Sequence, residues 1–208
     1  MKKFTYMLVF CFLVGSAGCR PLSYVAYALF GGGKTKIKAE YNGLRNHRTI
    51  IILSTGPGID FEYPYARTNV ALASAEVIKK YVKGVEFVKQ DEVEAFQLEN
   101  LDWATLPVET IAEKFQATRI LYLDLYQFTM HEENSVHLIR GHIRAAVRAY
   151  EVNKTARAVY TTDVGMLWPE HSPVPMSDAA MQRLKMETYV KFAEKLALKF
   201  YDHKVPIK

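Results

Sequence analysis

Residues Arg48 to Ser54 read RTIIILS, with four aliphatic residues in succession. Such a run has no solvent face, so it describes a strand buried on both sides. A strand of that kind needs cover above and below, which restricts the chain to architectures where helices flank a sheet.

The neighbouring segments fit this frame. Thr55-Gly56-Pro57-Gly58 breaks the run. From about Tyr65 to Lys83 the apolar spacing predicts a helix, with Val70, Ala73, Val77, Ile78 and Tyr81 on one side and Gly84 ending it. Val85 to Val88 is a short strand, Asp91 to Gln97 a short helix, and Pro107 opens a further helix through Phe115. Three long strands follow, over 118–130, 136–151 and 157–168, joined by hairpin connections at His131–Ser135 and Asn153–Thr155. Met176 to Phe200 is a long amphipathic helix capped by Ser177 or Asp178, with Met181, Leu184, Thr188, Phe192, Leu196 and Phe200 inward. The order is β-α-β-α-α-β-β-β-α. It predicts an α/β fold with a mixed sheet of about five strands, parallel in its first half and an antiparallel meander in its second.

The first nineteen residues supply the address. Lys2 and Lys3 precede an apolar run, Phe4 to Val14, too short for a comfortable span. Gly15-Ser16-Ala17-Gly18-Cys19 then closes it. This resembles a bacterial lipobox, against the alternatives of an ordinary cleaved signal or an N-terminal anchor. The resemblance implies a signal peptide over 1–18, acylation of Cys19, a tether over 19–46 and one domain over 47–208. Each buried acyl methylene would contribute about 0.8 kcal/mol to membrane attachment. Arg20 stands where an Asp favours inner-membrane retention, so the resemblance implies an outer membrane, periplasm-facing location.

Both cysteines, Cys11 and Cys19, lie in the leader. The expected domain therefore has no disulfide, thiol nucleophile or thiolate metal site. Without Lys2 and Lys3 the charge balance is 25 basic to 22 acidic residues, too even to indicate a nucleic-acid partner. The segment Gly31-Gly32-Gly33-Lys34-Thr35 is not a phosphate loop, because Ala28 replaces the required first glycine. It reads as part of a flexible basic tether.

Behind a lipobox, the element order resembles the domain shared by the TolB N-terminal region, the curli-secretion lipoprotein and the lipoprotein activator of penicillin-binding proteins. The matching features are RTIIILS leading into a long helix, the strand ATRILYLDLYQF after a helix, the paired long strands and the final helix. The resemblance implies a non-catalytic envelope module that binds protein or glycan partners.

Three groups of residues are candidates for a site. Phe61, Tyr63 and Tyr65 form an aromatic cluster beside Asp60 and Glu62. It reads either as a recognition patch or as rings covering the end of the core. Arg140, Arg144 and Arg148 share one face of a strand with His142, and Tyr122, Asp124, Tyr126 and Phe128 are expected to share a face of the strand before it. Arginine with tyrosine suits anionic groups: glycan carboxylates, phosphate head groups or an acidic protein surface. The alternative is a solvated ladder in which Asp124 and Asp163 neutralise the arginines, shielded by the terminal helix.

The third group, Asp124, His137 and His142, would serve a hydrolase or a metal-dependent enzyme if it converged, with His131 approaching His137 across the hairpin. No HExxH spacing, nucleophile elbow or cofactor motif is present in the sequence, and no cofactor is expected. The favoured expectation is a lipid-anchored envelope accessory protein. It would contact the membrane through Cys19, and an envelope protein or anionic glycan through the residues at 61–65 and 140–148.

Overall fold

The computed structural model describes residues 34–152 and 157–207. They fall into two units. In one, β1 (Lys34–Ile37) pairs antiparallel with β8 (His203–Pro206) in a two-stranded ladder, Lys34 opposite Pro206 and Ile37 opposite His203. The basic run expected as tether is thus a strand in its described part. Its partner carried too short a pattern, HKVP, to announce a strand alone.

The other unit spans Lys38–Asp202. It begins ahead of the boundary expected at residue 46. The reason is packing: Leu44 is fully buried and Tyr41 lies against the same core. The main sheet contains β2 (Arg48–Thr55), β3 (Glu86–Phe87), β4 (Arg119–His131), β5 (Leu138–Glu151), β6 (Tyr160–Trp168) and β7 (Val174–Pro175). The order is β3-β2-β4-β5-β6, with β7 also on β5. β2 pairs parallel with β3 and β4, whereas β4, β5 and β6 form the antiparallel meander. The mixed α/β sheet expected from the sequence is therefore present, one short strand larger.

Both faces of β2 are buried, as its composition requires. Ile51 and Leu53 point into a core closed by α2 (Ala66–Tyr81) and α5 (Asp178–Ala197). Ile50 and Ile52 point into a second core with Phe96, Trp103, Ile111 and Phe115. These come from α3 (Gln90–Glu99), a 3-10 turn (Trp103–Thr105), α4 (Val108–Lys114) and the residue after it. A short helix, α1 (Pro57–Glu62), follows the break of the strand at Gly56, with Pro57 in its first turn.

The helix faces follow from spacing, with one shift. α2 buries Ala66, Val70, Ala71, Ser74 and Ile78, whereas Tyr81 is outside and stacks on Tyr201 at 4.5 Å. α5 buries Leu184, Thr188, Phe192 and Leu196 as expected, and its Ala180 N–H donates to the Ser177 hydroxyl at the N-cap. α5 packs closely on β5 at Gly141. A Cβ there would lie 2.1 Å from Thr188 Oγ1. Thr188 satisfies its hydroxyl by donating to Leu184 O at 2.8 Å.

β4 changes face part-way. Leu121, Leu123 and Leu125 point toward α2 and α5. The register with β5 then slips between Leu125 and Gln127. An extra residue reverses the alternation beyond it. Phe128 and Met130 consequently enter the helix-covered core instead of sharing a face with Asp124, as plain alternation predicts. Phe128 stacks on Tyr189 at 5.3 Å and meets the edge of Tyr63 at 4.8 Å.

Candidate functional site: the open half of the sheet

The two faces of the sheet are covered unequally. α2 and α5 cover one face across β2, β4, β5 and β6. On the other, α3, α4 and the 3-10 turn cover β2 and the first half of β4, with Tyr122 and Tyr150 at their margin. Beyond that margin the exposed side chains of β4, β5 and β6 form an open surface. Tyr126, Arg144, Thr161, Asp163 and Leu167 are all exposed on it.

Strand register sets out this surface in rows. Gln127, Arg144 and Gly165 form one cross-strand row, and Thr129, His142 and Leu167 the next. Asp124, Ala146 and Asp163 form a row on the other side of Arg144. Ala146 is small, and Tyr126 spans the interval above it, its hydroxyl donating to Asp163 Oδ2 at 2.7 Å. That hydrogen bond raises the Tyr126 pKa, because the carboxylate accepts from the neutral phenol, and the nearby Arg144 guanidinium opposes the shift. The ring remains 49% exposed.

The arginine row does divide between paired and available guanidinium groups. Arg140 Nε lies 3.0 Å from Glu132 Oε2, with both side chains largely covered. His142 Nε2 lies 3.9 Å from the same oxygen. Arg148 lies 3.9 Å from Asp124 and 5.5 Å from the centre of the Tyr122 ring. Asp124 also accepts from the Ser54 hydroxyl at 2.9 Å. Of the expected ladder, Asp124 meets Arg148, whereas Asp163 accepts from Tyr126 and Arg140 is held by Glu132 instead. Arg144 stays exposed and lies across Gly165, where a Cβ would come 2.7 Å from Arg144 Cγ. The terminal helix, expected as a shield, packs on the opposite face.

A groove of about 690 Å³ runs along this surface, lined by Gln127, Glu132, His142, Arg144, Gly165 and Leu167 among others. Gly165 is the residue the sequence reading passed over. An isolated glycine inside a strand pattern signals close approach of another group, and here that group is the Arg144 stem.

The aromatic cluster divides as well. Phe61 is 92% and Tyr65 73% exposed. Tyr63 instead covers the end of the core, its hydroxyl accepting from Met130 N–H at 3.1 Å. Burial pushes the Tyr63 pKa up.

The proposed enzymatic group does not assemble. Asp124 is opposite Ala146, four residues along β5 from His142, a separation of roughly 13 Å. His137 lies in the connection before β5, its backbone N–H donating to Ser135 Oγ at 3.2 Å. His131 turns to Glu62 at 3.6 Å rather than toward His137. Among the described residues no three His, Cys, Asp or Glu side chains are grouped to hold a metal ion. Cys19 and the connection at 153–155 lie outside the described residues.

No family model and no curated protein matches the chain. Solved structures similar to this chain include the PelC dodecamer from Paraburkholderia phytofirmans, at 8% identity and TM-score 0.45, covering 78% of this chain and 96% of that one. Lipoprotein GNA1162 from Neisseria meningitidis is similar at 11% identity and TM-score 0.42, covering 70% and 97%. A neuraminyllactose-binding hemagglutinin homolog from Helicobacter pylori is similar at 13% identity and TM-score 0.38, covering 77% and 88%. Bacterial lipoproteins are therefore among the distant structural neighbours of this chain.

Proposed function

We propose that this chain is a lipid-anchored accessory protein of the bacterial cell envelope. It works by binding and not by catalysis, with the open half of its sheet as the binding face. The observation that carries this reading is the unequal cover of the sheet, which leaves Arg144, Tyr126 and a polar groove exposed in an otherwise packed domain. An exposed arginine beside an exposed tyrosine suits an anionic partner. Phe61 and Tyr65 add two exposed rings at the carboxyl end of β2, as a second contact. The anchor is Cys19 at the end of the lipobox-like leader, and the location is the outer membrane, facing the periplasm. Among the described residues no helix is long and apolar enough to cross a membrane.

Two experiments test this. Cys19→Ser is expected to release the protein from the membrane fraction, and unchanged sedimentation with membranes would remove the anchor. A photo-crosslinking residue at Leu167, on the open face, is expected to capture an envelope component in intact cells. The same residue at Gln182, exposed on α5, is the control. Equal capture from both positions would remove the face.

A further inference from the structure

We infer that the groove around Arg144 binds a carboxylate-bearing saccharide, with the guanidinium holding the acid group. This rests on the reading of the open half-sheet as the binding face and names the chemistry of its partner.

Four observations converge. First, Arg144 differs from the other two arginines of its row. Arg140 and Arg148 each lie beside a carboxylate, whereas no carboxylate lies within ion-pair distance of Arg144 among the described residues. One donor reaches the Tyr126 hydroxyl, and the rest of its planar fork is available for contact with an acid group. Second, the guanidinium is positioned. Its stem rests on Gly165, which has no Cβ to displace it. Third, hydrogen-bonding groups surround it: the Gln127 amide directly across the strand pair, and His142 in the next row. The half-exposed Tyr126 ring, fixed by its bond to Asp163, offers a flat apolar surface of the kind a pyranose ring packs on.

The fourth observation is the balance of charge. Glu132, Glu133 and Arg140 also line the groove, and Arg140 lies against Glu132. The lining is therefore not the basic surface a polyphosphate or a nucleic acid needs, and its carboxylates accept hydrogen bonds from sugar hydroxyls. A groove with one guanidinium free of carboxylates, carboxylates among its lining and the Tyr126 ring beside that guanidinium matches a ligand with one acid group and many hydroxyls. It matches a protein partner less well. Protein interfaces centre on an apolar core, and the exposed large apolar side chains of this surface are Tyr126 and Leu167.

The test uses the full chain purified in detergent. It is applied to an array of acidic saccharides carrying hexuronate, ketosidic acid or lactyl-ether groups, each printed beside its methyl ester. Esterification keeps shape and hydroxyls and removes the charge. Binding to at least one acid is expected to exceed binding to its ester tenfold or more. Against that acid in calorimetry, Arg144→Gln is expected to weaken binding at least tenfold. Gly165→Ala is expected to weaken it several-fold with the charge retained. Arg183→Gln, on the far helix, is expected to leave it unchanged. Circular dichroism melts confirm folding of each variant, and Arg144→Gln alone decides if Gly165→Ala misfolds.

Equal binding of acids and esters, silence across the array, or full binding by Arg144→Gln would overturn the inference. Polypeptide captured from Leu167 alongside a silent array would remove the saccharide and keep the binding face. Silence in both would remove both.

Discussion

Arg119 and Arg144 stand on adjacent strands of one sheet, and their guanidinium groups serve opposite ends. Arg119 is spent inside the molecule. It donates from Nε to Gly43 O at 2.9 Å and from Nη1 to Thr118 O at 2.8 Å. Its Nη2 lies 2.9 Å from His47 Nε2 and 3.6 Å from Glu151 Oε2. Arginine has no acceptor, so His47 Nε2 accepts and Nδ1 carries the proton toward Thr118 Oγ1 at 3.0 Å. The Tyr41 hydroxyl donates to Glu151 at 3.2 Å. This cluster fastens residues 41–47 to the sheet, which is why the compact unit starts before the first long strand. Arg144 has the same chemistry in an open setting, supported along its stem and exposed at its head. The difference teaches that an arginine's role is set by how many of its donors the fold consumes. Strand parity and composition do not set it.

The comparison breaks first at Arg119. Arg119→Ala removes the cation beside the buried Glu151 carboxylate together with the bonds to Gly43 and Thr118, and is expected to cost about 3–5 kcal/mol in urea denaturation. Arg144→Ala is expected to stay within about 0.5 kcal/mol of the parent. Equal losses would erase the distinction.

The two glycines sharpen it. Gly141→Ala drives a Cβ into Thr188 within the packed helix–sheet contact and is expected to cost about 1–3 kcal/mol. Gly165→Ala meets only the stem of Arg144, which can swing toward solvent. Its thermal midpoint is expected to remain close to the parent's while ligand binding falls.

Alkaline pH probes the closed end directly. Burial pushes the Tyr41 pKa from its ordinary value of 10.0 up to about 12, and the Glu151 charge adds to the shift. A raised folded pKa gives stability that is whole below the unfolded value and is lost as pH rises through the folded one. Stability is therefore expected to decline between pH 10 and pH 12. Tyr41→Phe should flatten that decline in part, since burial also raises Tyr189 to about 12. An identical slope in parent and variant would show that Tyr41 is not held in the closed cluster.

The smallest effect belongs to Phe61. Phe61→Ala, at a ring 92% exposed, is expected to change stability by no more than about 0.5 kcal/mol. If the ring is a second contact, the variant lowers photo-capture of the partner. A large loss of stability would return Phe61 to the core.

Much of the architecture was legible because it rests on short-range periodicity. The two-sided burial of Ile50 to Leu53, the stripe Leu184, Thr188, Phe192 and Leu196, and the Ser177 cap each follow from spacing within one element. The site was legible only in outline. Parity placed Arg140, Arg144 and Arg148 on one face, but it could not distribute their partners. Glu132 reaches Arg140 from a hairpin connection, and Arg119 finds Glu151 across a strand pair 32 positions away in sequence. The short ladder of β1 and β8 joins opposite ends of the chain, which no local window contains.

The amino-acid order alone determined the types of the long elements, the mixed sheet and the resemblance of the leader to a lipobox, because each is written in neighbouring residues. Tertiary structure decided which half of the sheet stays open, that the slip after Leu125 sends Phe128 inward, and that Arg144 meets no carboxylate among the described residues. Those outcomes depend on which groups meet in space, and burial and charge pairing act between side chains however distant along the chain.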